Sequence, residues 1–409
     1  MRARTLRLVI VSVLAAAGGG TVLVRAAHAT RAAGIAAPVA DAGFAERSSR
    51  DRQIAVWHQA LAADTGSALV LGQLAALHLQ RSREGGGWDD IVRAEAFARA
   101  SLARRTFRNA STASTLTGIL LAQHRFTEAR EVARDLVRHD PEVPEYRATL
   151  AEVAMELGDD TQADTLFGAL WPHRGTLTIA ARLARWLELH GHVTQARQLL
   201  TAARDDAVSR RDISRETQAW FNLRLGDLEL RSDRRTAAGA AYRSGLAIEP
   251  GDPRLLGAMA RLADAAGDPR GVIEWGEAAV GLQLDPGTLG LVSSAFAALG
   301  DSARAEEYGI ALETAVSSQP GAYHRAWSLH LLDQGRQVPL VLTKAAEELR
   351  QRRDIYGWDV YAWALHKAGR SAEAKVAMGH ALRLHTRDPL LARHAAAIGL
   401  RAPVAGAGE

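Results

Sequence analysis

Chemistry in this 409-residue chain would have to come from its 14 histidines, its serines or its three lysines, because it contains no cysteine. His190 and His192 flank Gly191, so a turn there sends the two rings to different sides. No HExxH pair occurs, and that spacing suits a structural turn better than a metal site. His366, His380 and His385 lie close enough in sequence to cluster as a metal or acid–base site, but exposed or capping roles fit them better. A serine nucleophile would need a strained elbow such as G-x-S-x-G, which the chain lacks. Lys344, Lys367 and Lys375 are the only lysines, and no phosphate-binding G-x-x-x-x-G-K-[ST] loop contains them. Gly85-Gly86-Gly87 precedes Trp88-Asp89-Asp90, whose carboxylates would repel phosphate. Without cysteine there is no disulfide, thiolate zinc site, cysteine nucleophile or lipoprotein attachment point. The residues point to no catalytic centre, no metal and no cofactor.

What must position any functional side chain is a turn that keeps returning. Leu157-Gly158-Asp159, His190-Gly191-His192, Ala266-Gly267-Asp268, Leu299-Gly300-Asp301, Gln334-Gly335-Arg336 and Ala368-Gly369-Arg370 each separate two apolar-periodic segments. Degenerate copies stand at His124 and Asp233. Five residues after each turn position comes a small or apolar residue: Ala129, Ala163, Ala196, Ala238, Val272, Ala305, Leu340 and Ala374. Their spacings are 34, 33, 42, 34, 33, 35 and 34. Glycine supplies the positive φ of a tight reversal, and alanine lets the second helix approach the first closely. One helix pair cannot bury its apolar face alone, so pairs of this kind stack into a solenoid. A period of about 34 residues built from two helices is the tetratricopeptide signature.

The stretch Ala219 to Asp252 resembles the tetratricopeptide consensus best, with Leu225-Gly226, Ala238, Tyr242 and Ile248-Glu249-Pro250 in order. Leu79 to Glu84, Leu225 to Leu230, and Tyr361 to Leu365 with Thr386-Arg387-Asp388 further resemble a family of exported bacterial tetratricopeptide proteins to which no biochemical activity is assigned. The resemblance covers most of the chain from about Arg50 onward. It implies an all-α, right-handed α-solenoid whose first helices line a concave face. Carried over position by position, it projects Arg185 and Glu188, then Trp220, Asp227 and Arg231, into that face. Arg254, Arg261, Asp264, Arg325, Tyr356, Asp359, Trp363 and His366 follow. Arginines beside tryptophan or tyrosine are what protein hot spots favour. The expected partner-binding set is therefore Arg185, Trp220, Asp227, Arg231, Arg261, Arg325, Tyr356 and Trp363. Some tetratricopeptide grooves hold a peptide carboxylate through asparagine at the ninth repeat position. Here those positions carry Gly118, Glu152, Arg185, Asp227, Arg261, Ser294, Leu329 and Trp363, so that clamp is not expected.

The formal net charge of +4 invites a nucleic-acid reading, but it resides at the start of the chain. Residues 1–29 hold Arg2, Arg4, Arg7 and Arg25 and no acid, and the rest balances at 46 basic and 46 acidic residues. Nucleic-acid binding needs a concentrated basic face, and none is visible. Leu8 to Val24 is uncharged, and Ala27-His28-Ala29 reads as a small-x-small processing site, the layout of a secretory signal peptide. Residues 8–24 could instead be retained as a membrane anchor. Either way the solenoid is expected outside the cytoplasm, because the basic start stays inside.

The expected organisation is a signal or anchor at 1–29, an alanine-rich linker at 30–48 and degenerate helical repeats at 49–109. About eight repeats at 110–388, a capping helix at 389–400 and a tail at 401–409 complete it. The 42-residue spacing between Ala196 and Ala238 places an insertion at about Asp205 to Arg215, read as a charged extra turn. The function this suggests is a non-catalytic scaffold that binds a protein partner on its concave face during envelope or membrane-complex assembly. The alternatives are an anchored structural subunit of a permanent membrane complex, or a polysaccharide-handling or enzymatic role.

Overall fold

The computed structural model describes residues 43–319 and 325–401. The segment read as a signal or anchor, most of the linker and nearly all of the tail lie outside those residues. Twenty α-helices make up the described chain, which contains no strand among the described residues. The first ten are α1 (Phe44–Ala63), α2 (Ala68–Arg81), α3 (Trp88–Arg104), α4 (Ala110–Ala122), α5 (Phe126–His139), α6 (Pro144–Leu157), α7 (Asp160–Ala169), α8 (Leu177–Leu189), α9 (Val193–Ser209) and α10 (Arg215–Arg231). Then come α11 (Arg235–Ile248), α12 (Pro253–Ala265), α13 (Pro269–Val280), α14 (Pro286–Ala298), α15 (Ser302–Ser317), α16 (Arg325–Asp333), α17 (Val338–Glu348), α18 (Ile355–Lys367), α19 (Ser371–Ala381) and α20 (Pro389–Ile398). Consecutive helices pack as antiparallel pairs, and the pairs stack into the expected right-handed all-α solenoid.

The turn chemistry explains the pairing. All six signature glycines, Gly158, Gly191, Gly267, Gly300, Gly335 and Gly369, have positive φ, and so do the substitutes His124 and Asp233. After the turn, Asp159, Asp268 and Asp301 each accept a hydrogen bond from a backbone N–H in the first turn of the next helix, at 3.3, 3.0 and 3.1 Å. First helices often open with Asp-Pro. Asp252, Asp285 and Asp388 cap α12, α14 and α20, and the proline occupies the first helical position, where its missing N–H costs nothing.

Of the eight expected contact positions, Ala129, Ala163, Ala196, Ala238, Val272 and Ala374 are buried. Ala305 is only half-buried, because a cavity of about 310 Å³ opens between α14 and α15 beside Gly309. Leu340 is exposed, and Val341 is fully buried in its place. The reason is local: Gln337 takes φ 49° as the residue before α17, which adds one residue to the turn and shifts the helix register by one. Ala238 sits in a cluster with Ala219, Leu223, Tyr242, Leu255 and Met259. Ala238→Phe should overpack that cluster and cost about 1–3 kcal/mol, read as a lowered urea midpoint.

The expected insertion is realised as an extension of α9 to Ser209 followed by a short connection to Arg215. The first two of the three glycines, Gly85 and Gly86, end a π-helical turn, Ser82–Gly86, and Gly85 and Gly87 have positive φ. Helix α1 begins at Phe44, inside the segment read as a linker.

The solenoid coils tightly enough for residues far apart in sequence to touch. Arg47 pairs with Glu249 at 2.5 Å, and the Arg215 N–H donates to Glu46 at 3.1 Å. Further on, the Arg353 N–H donates to the Leu157 carbonyl at 2.8 Å. Arg383 binds Asp160 through two hydrogen bonds of 2.6 and 3.1 Å, across 223 residues. Separations of 169, 202 and 223 residues correspond to about five to six and a half repeats of ~34 residues. One buried cluster joins Ala148, Met155 and Leu183 of early repeats to Ile355, Leu365 and Leu391 of late ones.

Candidate functional site

Side chains from the first helices meet on the inner side of the coil as a run of alternating charges. Glu188 of α8 accepts from Arg185 Nη1 at 2.8 Å and from Arg231 Nη2 of α10 at 3.2 Å. Burial alone would raise the Glu188 pKa, but Arg231 and Arg185 outweigh it and bring it down to about 2. Asp227 accepts from the Tyr242 hydroxyl at 2.9 Å and from Arg261 Nη2 at 3.2 Å. Arg224 lies 3.7 Å from its other oxygen. Burial opposes ionisation there too, and the arginines hold the carboxyl below its ordinary value.

A second group comes from the late repeats. Asp359, fully buried, accepts from Arg325 Nη2 at 2.8 Å and faces His394 Nδ1 at 2.7 Å. Its pKa is lowered by His394 and Arg325 against the effect of burial. The Trp363 indole stacks on His394 with ring centres 4.3 Å apart, and its Nε1 donates to Asp333 at 2.9 Å. Tyr356 joins the two groups. Its hydroxyl accepts from Arg185 Nη2 at 2.8 Å and donates to Asp388 at 3.1 Å. The Arg325 and Arg185 guanidinium carbons lie 4.7 and 5.3 Å from its ring centre. Burial first, then Asp388 and Glu188 against Arg185 and Arg231, raises the Tyr356 pKa to about 12.

Five of the eight expected binding residues, Arg185, Arg231, Arg325, Tyr356 and Trp363, therefore lie along one connected run of polar and ring contacts, and Asp227 with Arg261 forms a separate cluster around Tyr242. Trp220 stands at its margin, edge-on to Phe221 and 6.0 Å from the Arg224 guanidinium. Most of these residues are half-buried, and Arg261, with 42% of its side chain exposed, is the most open of the ion-paired ones. The contributions of Arg224, Tyr242, His394 and Asp388 were not singled out from sequence. A signal was nevertheless present, since Asp227 with Arg261 and Arg325 with Asp359 are opposite charges one repeat, 34 residues, apart.

The arrangement joins repeats rather than activating a group. Glu188, Asp227 and Asp359 are held ionised by arginine or histidine, and none of these pairs aligns a base with a serine or threonine nucleophile. The three late histidines do not converge: His366 stacks on Trp363, His380 on Trp358, and His385 sits in a turn at φ 61°. His190 takes up a structural role, with Nδ1 2.9 Å from the Trp186 carbonyl. Among the described residues no three or more histidines and carboxylates are grouped to hold a metal ion. No described helix is long and apolar enough to cross a membrane.

A sequence model of the tetratricopeptide repeat matches residues 120–177. Among solved structures, human IFIT1 with PPP-AAAA aligns with a TM-score of 0.50 at 13% identity, covering 78% of this chain and 73% of that one. The Cut9–Hcn1 hetero-tetramer of the APC/C aligns with a TM-score of 0.46 at 15% identity, over 82% of this chain and 56% of that one. PilW, a type IV pilus biogenesis factor, aligns with a TM-score of 0.41 at 20% identity, over 55% and 99%. The chain thus spans little more than half the length of the Cut9–Hcn1 chain it matches. At these identities the likeness is one of fold. No curated protein sequence matches the chain. The 34-residue period, the paired helices and the matched segment make this a tetratricopeptide-repeat protein.

Proposed function

We propose that this protein is a non-catalytic scaffold that works outside the cytoplasm, binding another protein along its concave side during assembly of an envelope or membrane complex. The observation that carries the reading is the run of arginine, tyrosine and tryptophan side chains on the first helices, of which Arg261 reaches solvent. Such residues anchor protein interfaces out of proportion to their number. Export is supported by the arginine-rich start and the uncharged run of residues 8–24. The IFIT1 structure holds PPP-AAAA, which raises nucleic acid as a second reading. Charge balance argues against it here. Arg185, Arg231, Arg254, Arg261 and Arg325 are all ion-paired, to Glu188, Asp252, Glu216, Asp227 and Asp359 together, leaving little to displace counterions from a polyanion.

Pull-down from envelope fractions tests the binding face. Arg261→Ala should weaken capture of a partner by about 2 kcal/mol or more if Arg261 is a hot spot, whereas Arg243→Ala on a second helix should not. Equal loss or equal retention in both variants would rule the concave side out. Mass spectrometry of the mature protein should show Thr30 as its first residue. An intact chain in the membrane fraction would instead favour the anchored structural subunit, and an intact cytoplasmic chain would end the export reading.

A further inference from the structure

If the concave side takes a protein segment, as proposed above, the coil limits where that segment can lie. Turn-to-turn contacts close the inner side where Arg185 meets Tyr356 and where Arg383 meets Asp160. A cleft of about 610 Å³ remains open between the α2–α4 region and the α12–α15 region. That volume is in the range of sites that take a small molecule or a few residues of peptide. Its apolar walls include Leu79 and Trp88 on one side and Leu282 and Leu284 on the other. Leu282 and Leu284 are 41% and 47% exposed, unusual for leucines facing inward across a groove.

The charges in the cleft are unequal in their commitments. Arg254 is bound to Asp252 and Glu216, and Arg261 to Asp227. Asp285 accepts from the N–H and hydroxyl of Thr288 at 2.7 and 2.8 Å. Asp89 lies in the first turn of α3. Arg83 makes no hydrogen bond or close ion pair among the described residues. Glu216 attracts it from a distance, while Arg254 and Arg182 repel it. Beside it, Gly85 and Gly87 would meet nothing within 4 Å of an added Cβ, so the backbone of this loop borders open space.

We propose that this cleft receives an extended segment of a partner protein, with an acidic side chain paired to Arg83 and neighbouring apolar side chains set against Leu79, Trp88, Leu282 and Leu284. A guanidinium pairs with a carboxylate through two parallel hydrogen bonds, and covering Arg83 with a neutral or basic segment would strip its water without replacement. The three-glycine loop then has a role in the site: side chains there would narrow the cleft.

Fluorescence anisotropy with the purified full-length chain tests this. The probes are two labelled dodecapeptides with leucine at alternate positions, one carrying glutamate and the other glutamine between them. The glutamate peptide should bind about tenfold or more tightly than the glutamine peptide, as expected for one charge-assisted pair. Arg83→Ala should bring the two within about twofold, Arg83→Lys should restore part of the difference, and Arg138→Ala on a second helix should change nothing. Thermal melts should show all three variants folded, since Arg83 holds no other residue in place. Equal affinity for both peptides, binding of neither, or an Arg83→Ala variant indistinguishable from the parent would overturn the proposal. Loss of the acidic preference in Arg325→Ala but not in Arg83→Ala would place the segment elsewhere on the concave side, leaving the scaffold reading intact.

Discussion

Gly158→Ala should destabilise the folded chain by about 3 kcal/mol or more, while the formally identical Gly369→Ala should cost only about 1–2 kcal/mol. Both glycines close a first helix, at φ 75° and 76°, so both substitutions place an alanine in the left-handed region. The two sites differ in their surroundings. A Cβ on Gly369 would meet nothing within 4 Å, whereas one on Gly158 would lie 2.6 Å from the Asp354 nitrogen and closer still to the Arg353 carbonyl. Those atoms are backbone and cannot swing away as a side chain would. The next turn of the coil would have to move, breaking the hydrogen bond from the Arg353 N–H to the Leu157 carbonyl. Chemical denaturation of the two variants isolates the contact as the difference between them. X-ray scattering should show a larger radius of gyration for Gly158→Ala alone. Equal stability losses and unchanged scattering would mean that the turns do not press together at Gly158.

Glu188→Gln should cost about 3–5 kcal/mol at neutral pH, because it leaves Arg185 and Arg231 half-buried without their shared carboxylate. The effect should depend on pH in a definite direction. The folded-state pKa of Glu188, about 2, lies below its ordinary value of 4.5. A depressed carboxylate stabilises the fold fully above the unfolded value and loses that contribution as pH falls through the folded one. The difference corresponds to a stabilisation on the order of 3 kcal/mol at neutral pH. The stability gap between parent and Glu188→Gln should therefore stay constant above about pH 5 and shrink between pH 4.5 and 2. Melting curves of both proteins across that range measure it. A gap independent of pH would mean that the charge on Glu188 is not what holds the two arginines.

The two sites differ in how much of them could be read beforehand. The turn at Gly158 was legible because local rules set it. A reversal needs positive φ, and the aspartate that follows must cap the next helix whatever surrounds it. The failure at Leu340 is equally local, since one left-handed residue at Gln337 shifts a helix by one position. Glu188 was also legible as an inward-facing position, because the repeat register assigns it. That register could not reveal that Arg231, one repeat and an insertion further on, would share the same carboxylate with Arg185. Nor could it place Arg185 against Tyr356, 171 residues away.

By itself the sequence determined the helix pairs, their 34-residue spacing, their capping and the small residues buried between them. These follow from backbone geometry and nearest-neighbour contacts, which repeat wherever the motif repeats. Only the tertiary structure decided that successive turns of the coil touch, that most inward arginines are spent on neighbouring repeats, and that Arg83 borders an open cleft. Each repeat adds a small rotation to the last, and contacts about five to seven repeats apart depend on the sum of all of them, including the register change at Gln337 and the extension of α9. No local rule carries that sum, so a difference of a few degrees per repeat is enough to separate a closed inner face from an open one.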